Sequence, residues 1–201
     1  MAAYNAHEGL VNQFIPIPKP QLNIQRKIIL GLALFLRIHQ TSYSLLYGKN
    51  TLARNLSVKT FDVIIANDIE ALPLAFTIKS LKGVILDAHE YSPRQFENKL
   101  IWRLLFQPLN LHICQEYIKR IAAMTTIGKG IAEEYKKNFH CDPIVINNAA
   151  WSNNVPISEV TDSIRIIHHG GATVSRHLEN MIEMMQYLDH RFTLDLMLVV
   201  P

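Results

Sequence analysis

The chain has only two cysteines, Cys114 and Cys141, and neither belongs to a CxxC or CxxH spacing. That argues against a zinc framework, and two isolated thiols fit a reducing compartment such as the cytoplasm. There are nine histidines but no HExxH or HxH grouping. His168 and His169 are adjacent, so on a strand they point to opposite faces and do not chelate one metal together. No metal site is expected. A Walker motif is absent: Gly128-Lys129-Gly130 lacks the G-x-x-x-x-G-K-[ST] spacing. No serine sits in a G-x-S-x-G elbow, which removes the commonest serine hydrolase signature. No basic stripe is interleaved with aromatics, so nucleic acid is not an expected partner. Long apolar runs are missing too. The longest, Ile28–Leu36, is about half the ~20 residues a spanning helix needs, which points to a buried or interfacial helix. Met1–Leu10 shows no basic start followed by an apolar run, the mark of a signal peptide.

What is present is enough apolar sequence for a core. Hydrophobic residues make up 49% of the 201 and charged residues 18%, which separates the chain from disordered ones. The net charge of +3 suits an anionic small ligand or contact with an acidic membrane surface.

The strongest pattern runs from Phe61 to Pro93. Asp62–Ala66 is a short apolar run of the kind buried on both faces of a parallel sheet. Asn67-Asp68 follows and suits the cap of a helix starting near Ile69. Gly83–Leu86 is a second run, and it delivers Asp87, His89 and Glu90 to the carboxyl end of a sheet. Ligands of open α/β sheets bind at that edge.

Around this unit we expect a helix over 23–47 ended by Gly48, a helical piece over 52–58, and irregular chain over 1–20. Helices are expected over 96–106 and, starting at Pro108, over 109–121. A strand over 123–127, a Gly128-Lys129-Gly130 turn, a helix over 131–138 and a strand over 143–146 follow. Residues 149–163 read as a linker between an amino-terminal domain, 1–148, and the start of a second, 164–201. The second opens with a strand over 164–168, a His169-Gly170-Gly171 turn, a helix capped by Ser175 and a strand over 194–200. The expected fold is α/β, with Rossmann-like parallel sheets.

Five segments, FDVIIANDIEALPLA, GVILDAHEYSP, AAMTTIGKGIAEEY, PIVINNA and IRIIHHGGATVSRHLENMIEMMQYL, resemble in order and spacing the family 4 glycosyltransferases of GT-B architecture. The resemblance spans about Phe61 to Val200. It implies transfer of a sugar, with retention, from a nucleotide-diphosphate sugar to a glycan or lipid-linked acceptor. It implies no cofactor and no divalent metal, a cytoplasmic location, and possible peripheral contact with the membrane. It also implies roles. Gly170 and Gly171 would let backbone approach the donor diphosphate, and Arg176 would contact it. His89, Glu90 and Asp68 would face the acceptor and the reacting sugar as catalytic candidates. His177 stands where the family often has Gly.

The family's opening strand with its glycine-rich loop has no counterpart in residues 1–60. Its E-x7-E motif would fall past Pro201. The resemblance therefore makes the chain look like a piece of an enzyme, with little turnover by itself. The residues also admit plainer readings. Asp68 suits a simple helix cap, Glu90 a solvated loop, and Arg176 a surface arginine beside an ordinary turn. A GT-B epimerase or hydrolase of nucleotide sugars, a non-catalytic binding protein, and a membrane-apposed adaptor using the 26–38 helix are the rival functions.

Overall fold

The computed structural model describes residues 15, 20–48, 56, 59–149, 159–160 and 162–199. The helical piece expected over 52–58 and most of the 149–163 linker lie outside the described residues, as does nearly all of 1–20. Contacts divide the chain into two units, 1–149 and 150–201. Both are α/β with parallel strands.

The first unit opens with α1, Ile24–Phe35, capped by Asn23, whose Oδ1 accepts from the Arg26 N–H at 2.9 Å. One continuous helix was expected up to Gly48, but the chain breaks at Arg37, where φ is 57°. Arg37 N–H donates to Leu34 O at 3.1 Å and Ile38 N–H to Ala33 O at 2.8 Å, the paired bonds of a Schellman stop. A second helix, α2, His39–Tyr47, then ends at Gly48 in the left-handed region, as expected.

Strand β1, Thr60–Phe61, pairs with β3, Lys79–Ser80, in a small parallel ladder not foreseen from the sequence. The main sheet holds β2, Ile64–Asn67, β4, Val84–Ala88, β5, Ala123–Thr126, and β6, Ile144–Val145, all parallel and in that order. The expectation of one parallel sheet from these four segments holds. The expectation of burial on both faces does not. Val84, Leu86 and Ala88 are buried, with Ala66 and Met124 beside them, while Ile65 on the other face is 64% exposed. The strand order explains this. Strands added successively in one direction by right-handed crossovers receive their connecting helices on one face.

That covered face meets Ile69 and Leu72, from the 69–71 turn and α3, Leu72–Ala75. It also meets Leu109, Ile113 and Cys114 of α5, Gln107–Tyr117, and Tyr135 of α6, Lys129–Phe139. Pro108 sits in the first turn of α5, where its missing N–H costs nothing. The helix expected over 96–106 is only α4, Leu100–Leu105, because the chain spends 92–98 in tight turns after Pro93. Gly128 alone lies outside α6, so Lys129 and Gly130 belong to a helix and not to a turn.

In the second unit β7, Ile164–Gly171, pairs along its whole length with β8, Phe192–Val199. Gly170 and Gly171 pair with Leu198 and Val199, so they end the strand and are not yet the turn. Ser175 does not start the helix. A single 3-10 turn spans Val174–Arg176, His177 adopts φ 47°, and α7 begins only at Leu178, running to Met184. The left-handed residue interrupts the helical path that the apolar spacing suggested.

Candidate functional site

Across the main sheet, Asn67, Asp87 and Thr125 stand in register at the carboxyl ends of β2, β4 and β5. Neighbours in register share a face, and this is the open one. Thr125 Oγ1 donates to Asp87 Oδ1 at 2.6 Å. Asp87 Oδ2 lies 3.1 Å from His89 Nε2. A carboxylate opposite Nε2 favours the proton there, which leaves the lone pair on Nδ1. Both oxygens of Asp87 are thus engaged, and His89 is held in one orientation while its side chain stays 43% exposed.

Asp68 completes the cluster in an unexpected way. It occupies the position before the 69–71 turn, yet its side chain makes no capping bond. Its Oδ1 instead accepts from the His89 N–H at 3.0 Å. Its own backbone sits at φ 60° and ψ 163°, a region that side chains rarely enter and that costs about 1–3 kcal/mol. The neighbouring loop over-determines it. Asp68 N–H donates to Asp87 O at 2.9 Å.

The His89–Arg94 loop is stapled from below. Tyr135 Oη donates to Glu90 O at 3.1 Å and accepts from Ser92 N–H at 3.3 Å. Asn110 Nδ2 donates to Ser92 O at 3.0 Å, and Gln107 Nε2 to Pro93 O at 2.9 Å. The Tyr91 ring meets Tyr135 edge-on. Burial pushes the Tyr135 phenol well above its ordinary range, so it stays a neutral donor. The Glu90 side chain is exposed above this platform.

Three participants carried no role in the sequence reading. Asp87 stands two residues before His89, a spacing that pointed to the same face and was the available signal. Thr125 comes from a strand 38 residues away, which no local pattern reveals. Glu70 follows Asp68 by two. Burial pushes its carboxyl above the usual carboxylate range, and Asp68 and Glu90 nearby push it further. Thr126 Oγ1, at the end of β5, is buried with no partner among the described residues, an available polar atom. Four carboxylates, Asp68, Glu70, Asp87 and Glu90, make this edge acidic. Such an edge repels phosphate and suits groups that donate, such as sugar hydroxyls.

The second unit presents the opposite chemistry. Gly170 has φ 147°, and a Cβ there would come within 2.2 Å of Arg176 Nη1. The guanidinium thus lies directly over bare backbone; Gly170 is favoured by its backbone conformation, and a side chain there would push the exposed Arg176 aside. The helix end is weaker than expected. It begins beyond Arg176, and Glu179 sits in its first turn, 3.2 Å from His177 Nδ1. The geometry brings Gly170 and Arg176 together, and Gly171 follows in the strand.

A depression of about 660 Å³ in the first unit is lined by Cys114, Ala122, Asn138 and Asp142 among others. It lies where β5 begins, at the edge remote from Asp87 and His89, and desolvation there leaves the Cys114 thiol protonated. Chemistry is better sought at the carboxyl edge. Among the described residues no group of three or more His, Cys, Asp or Glu is placed to hold a metal ion. Compared with protein-family models, curated proteins and solved structures, the chain matches none.

Proposed function

We propose that the chain transfers a glycosyl group from a nucleotide-diphosphate sugar to a saccharide or lipid-linked acceptor, with retention and in a GT-B architecture. The observation that carries the reading is the Asp68–Asp87–His89–Thr125 cluster on the carboxyl edge of a parallel sheet. Its histidine is oriented, its aspartate backbone is strained, and its charge suits hydroxyl donors. In this reading His89 and the carboxylates Asp68 and Glu90 hold acceptor or donor-sugar hydroxyls. Asp87 acts through His89 as a positioning residue. Arg176, with backbone amides around Gly170 and Gly171, meets the charge that builds on the departing diphosphate, a form of electrostatic catalysis. The two isolated cysteines fit the cytoplasmic location that this activity carries with it.

The test is calorimetric titration with a panel of nucleoside diphosphates and the matching nucleosides, joined to an assay of diphosphate release from nucleotide sugars. The expected result is a clear preference for the diphosphate, with little acceptor-dependent release from this chain by itself, and that release lowered further by His89→Ala while diphosphate binding stays intact. Release without any acceptor favours a nucleotide-sugar epimerase or hydrolase. Equal affinity for nucleoside and diphosphate sinks the reading.

A further inference from the structure

We propose that α1 and α4 form a docking surface for an anionic lipid bilayer, an inference independent of the glycosyl-transfer reading. Helix α1 is apolar on two opposite sides. Ala33 and Leu34 face the core. On the far side Ile28 is 59% exposed, Leu32 56% and Phe35 73%. A helix apolar all round is ordinarily covered on both sides. Helix α4 packs alongside it and exposes Ile101 and Leu104, so large apolar side chains stand exposed on two adjoining helices. Exposed apolar residues scattered singly need no explanation, but this concentration on neighbouring helices does.

Charge identifies what covers it. Between Glu8 and Asp62 the sequence has seven lysines and arginines and no acidic residue. Between Glu97 and Glu116 it has Lys99 and Arg103 and again no acid. Glu97 itself is held by Arg94 through both carboxylate oxygens. The described members Arg26, Lys27, Arg37, Lys99 and Arg103 are all exposed. On the helical wheel Lys27 borders the outward stripe of α1 on one side, while Arg26 sits in the first turn and Arg37 just past the last, at the two ends of that stripe. An apolar helix face flanked by cations is the pattern of a helix lying in a membrane interface. A second copy is a poor occupant, since face-to-face packing would oppose cations with no carboxylate between them. No described helix is long and apolar enough to cross a membrane, so the contact is lateral.

Flotation of the full chain with vesicles tests this. One set is phosphatidylcholine alone, and the other contains phosphatidylglycerol. Binding to the anionic set only, released by about 0.5 M salt, is the expected result. Each basic side chain close to an anionic surface is worth about fivefold, so the triple change Arg26→Gln, Lys27→Gln, Arg37→Gln should weaken partitioning roughly a hundredfold. Ile28→Ser with Leu32→Ser should abolish it, and circular dichroism should show both variants folded, because these side chains are exposed. Equal flotation on neutral vesicles overturns the proposal, as does retention by the triple variant. Absence of flotation also overturns it. If light scattering then shows an oligomer that Ile28→Ser with Leu32→Ser dissociates, a protein partner covers this face.

Discussion

Among the described residues each unit has a parallel strand-to-helix edge, and the two are built differently. At the first, Asp68 after β2 and side chains from β4, β5, α5 and α6 converge on a few residues and are joined by hydrogen bonds. At the second, one arginine lies over one glycine, and Arg176 itself is exposed. The contrast follows from burial. Every buried side chain among the described residues belongs to the first unit, including Leu86, Leu109 and Tyr135. Two strands and a short helix enclose little on their own. A buried layer fixes geometry in advance. An exposed edge leaves the ordering of Arg176 to whatever binds there, at a cost in affinity.

Core truncation should separate the units most sharply. Leu86 is fully buried in the centre of the main sheet. Leu86→Ala should cost about 2–5 kcal/mol, the transfer term plus the cavity left behind. Leu194 is only half-buried in β8, and Leu194→Ala should cost about 1 kcal/mol. Urea denaturation read by tryptophan fluorescence and far-ultraviolet circular dichroism compares them. Equal losses would mean that the second unit has a core comparable to the first.

The next contrast is in ligand binding. Arg176 supports no part of the fold that burial would protect. Arg176→Ala should leave the denaturation midpoint unchanged and weaken nucleoside-diphosphate binding about tenfold to a hundredfold, the worth of one charge-assisted contact. Asp87→Asn should behave in the opposite sense. It leaves diphosphate binding intact but loosens His89 and lowers acceptor-dependent turnover. Calorimetry with the diphosphate and with the nucleoside reads both. If Arg176→Ala weakens the two ligands equally, the arginine does not read phosphate.

A smaller effect is expected at Gly170. Gly170→Ala forces a side chain into φ 147° and against the guanidinium. We expect a loss of about 1–3 kcal/mol confined to the second unit, with weaker diphosphate binding as Arg176 is displaced. Hydrogen exchange localises the loss. Protection lost equally in β4 would show that the two units unfold together.

Much of the main sheet was legible because apolar runs alternate with helix-length segments, and one-way right-handed crossovers leave few topologies. Gly48 and Pro108 marked a helix end and a helix start because their backbone restrictions act locally. The break at Arg37 was not legible, since the residue in the left-handed stop is not glycine. The delay of α7 to Leu178 was hidden for the same reason, with His177 in that conformation. At the candidate site, Asp68, His89 and Glu90 were visible from their place after strands. Their partners were not, because Thr125, Tyr135 and Asn110 reach them only once distant strands and helices have packed.

The mildest test concerns Glu70, whose carboxyl sits half-buried beside Asp68 and Glu90. Burial, with those neighbours, raises its pKa in the folded state above the unfolded value. The folded state therefore holds its proton to higher pH than the unfolded state does. Below the unfolded pKa both states are protonated, and the group costs nothing. As pH rises through the folded pKa, the fold must carry a disfavoured charge, and stability falls relative to that limit. Glu70→Gln removes the charge and keeps the shape. It should raise the melting temperature at pH 7 by roughly 1–2 °C, the scale of a sub-kcal/mol change in a chain of this size. The gain should vanish as pH falls below about 4, where the wild-type carboxyl is protonated in both states. Its backbone bond should survive, because Tyr43 Oη donates to the Glu70 carbonyl and not to the side chain. A gain that persists at low pH would show that the glutamine packs better for reasons unrelated to charge. A loss at pH 7 would show that the ionised carboxylate has a stabilising partner, and the acidic edge would then be less repulsive than its four carboxylates imply.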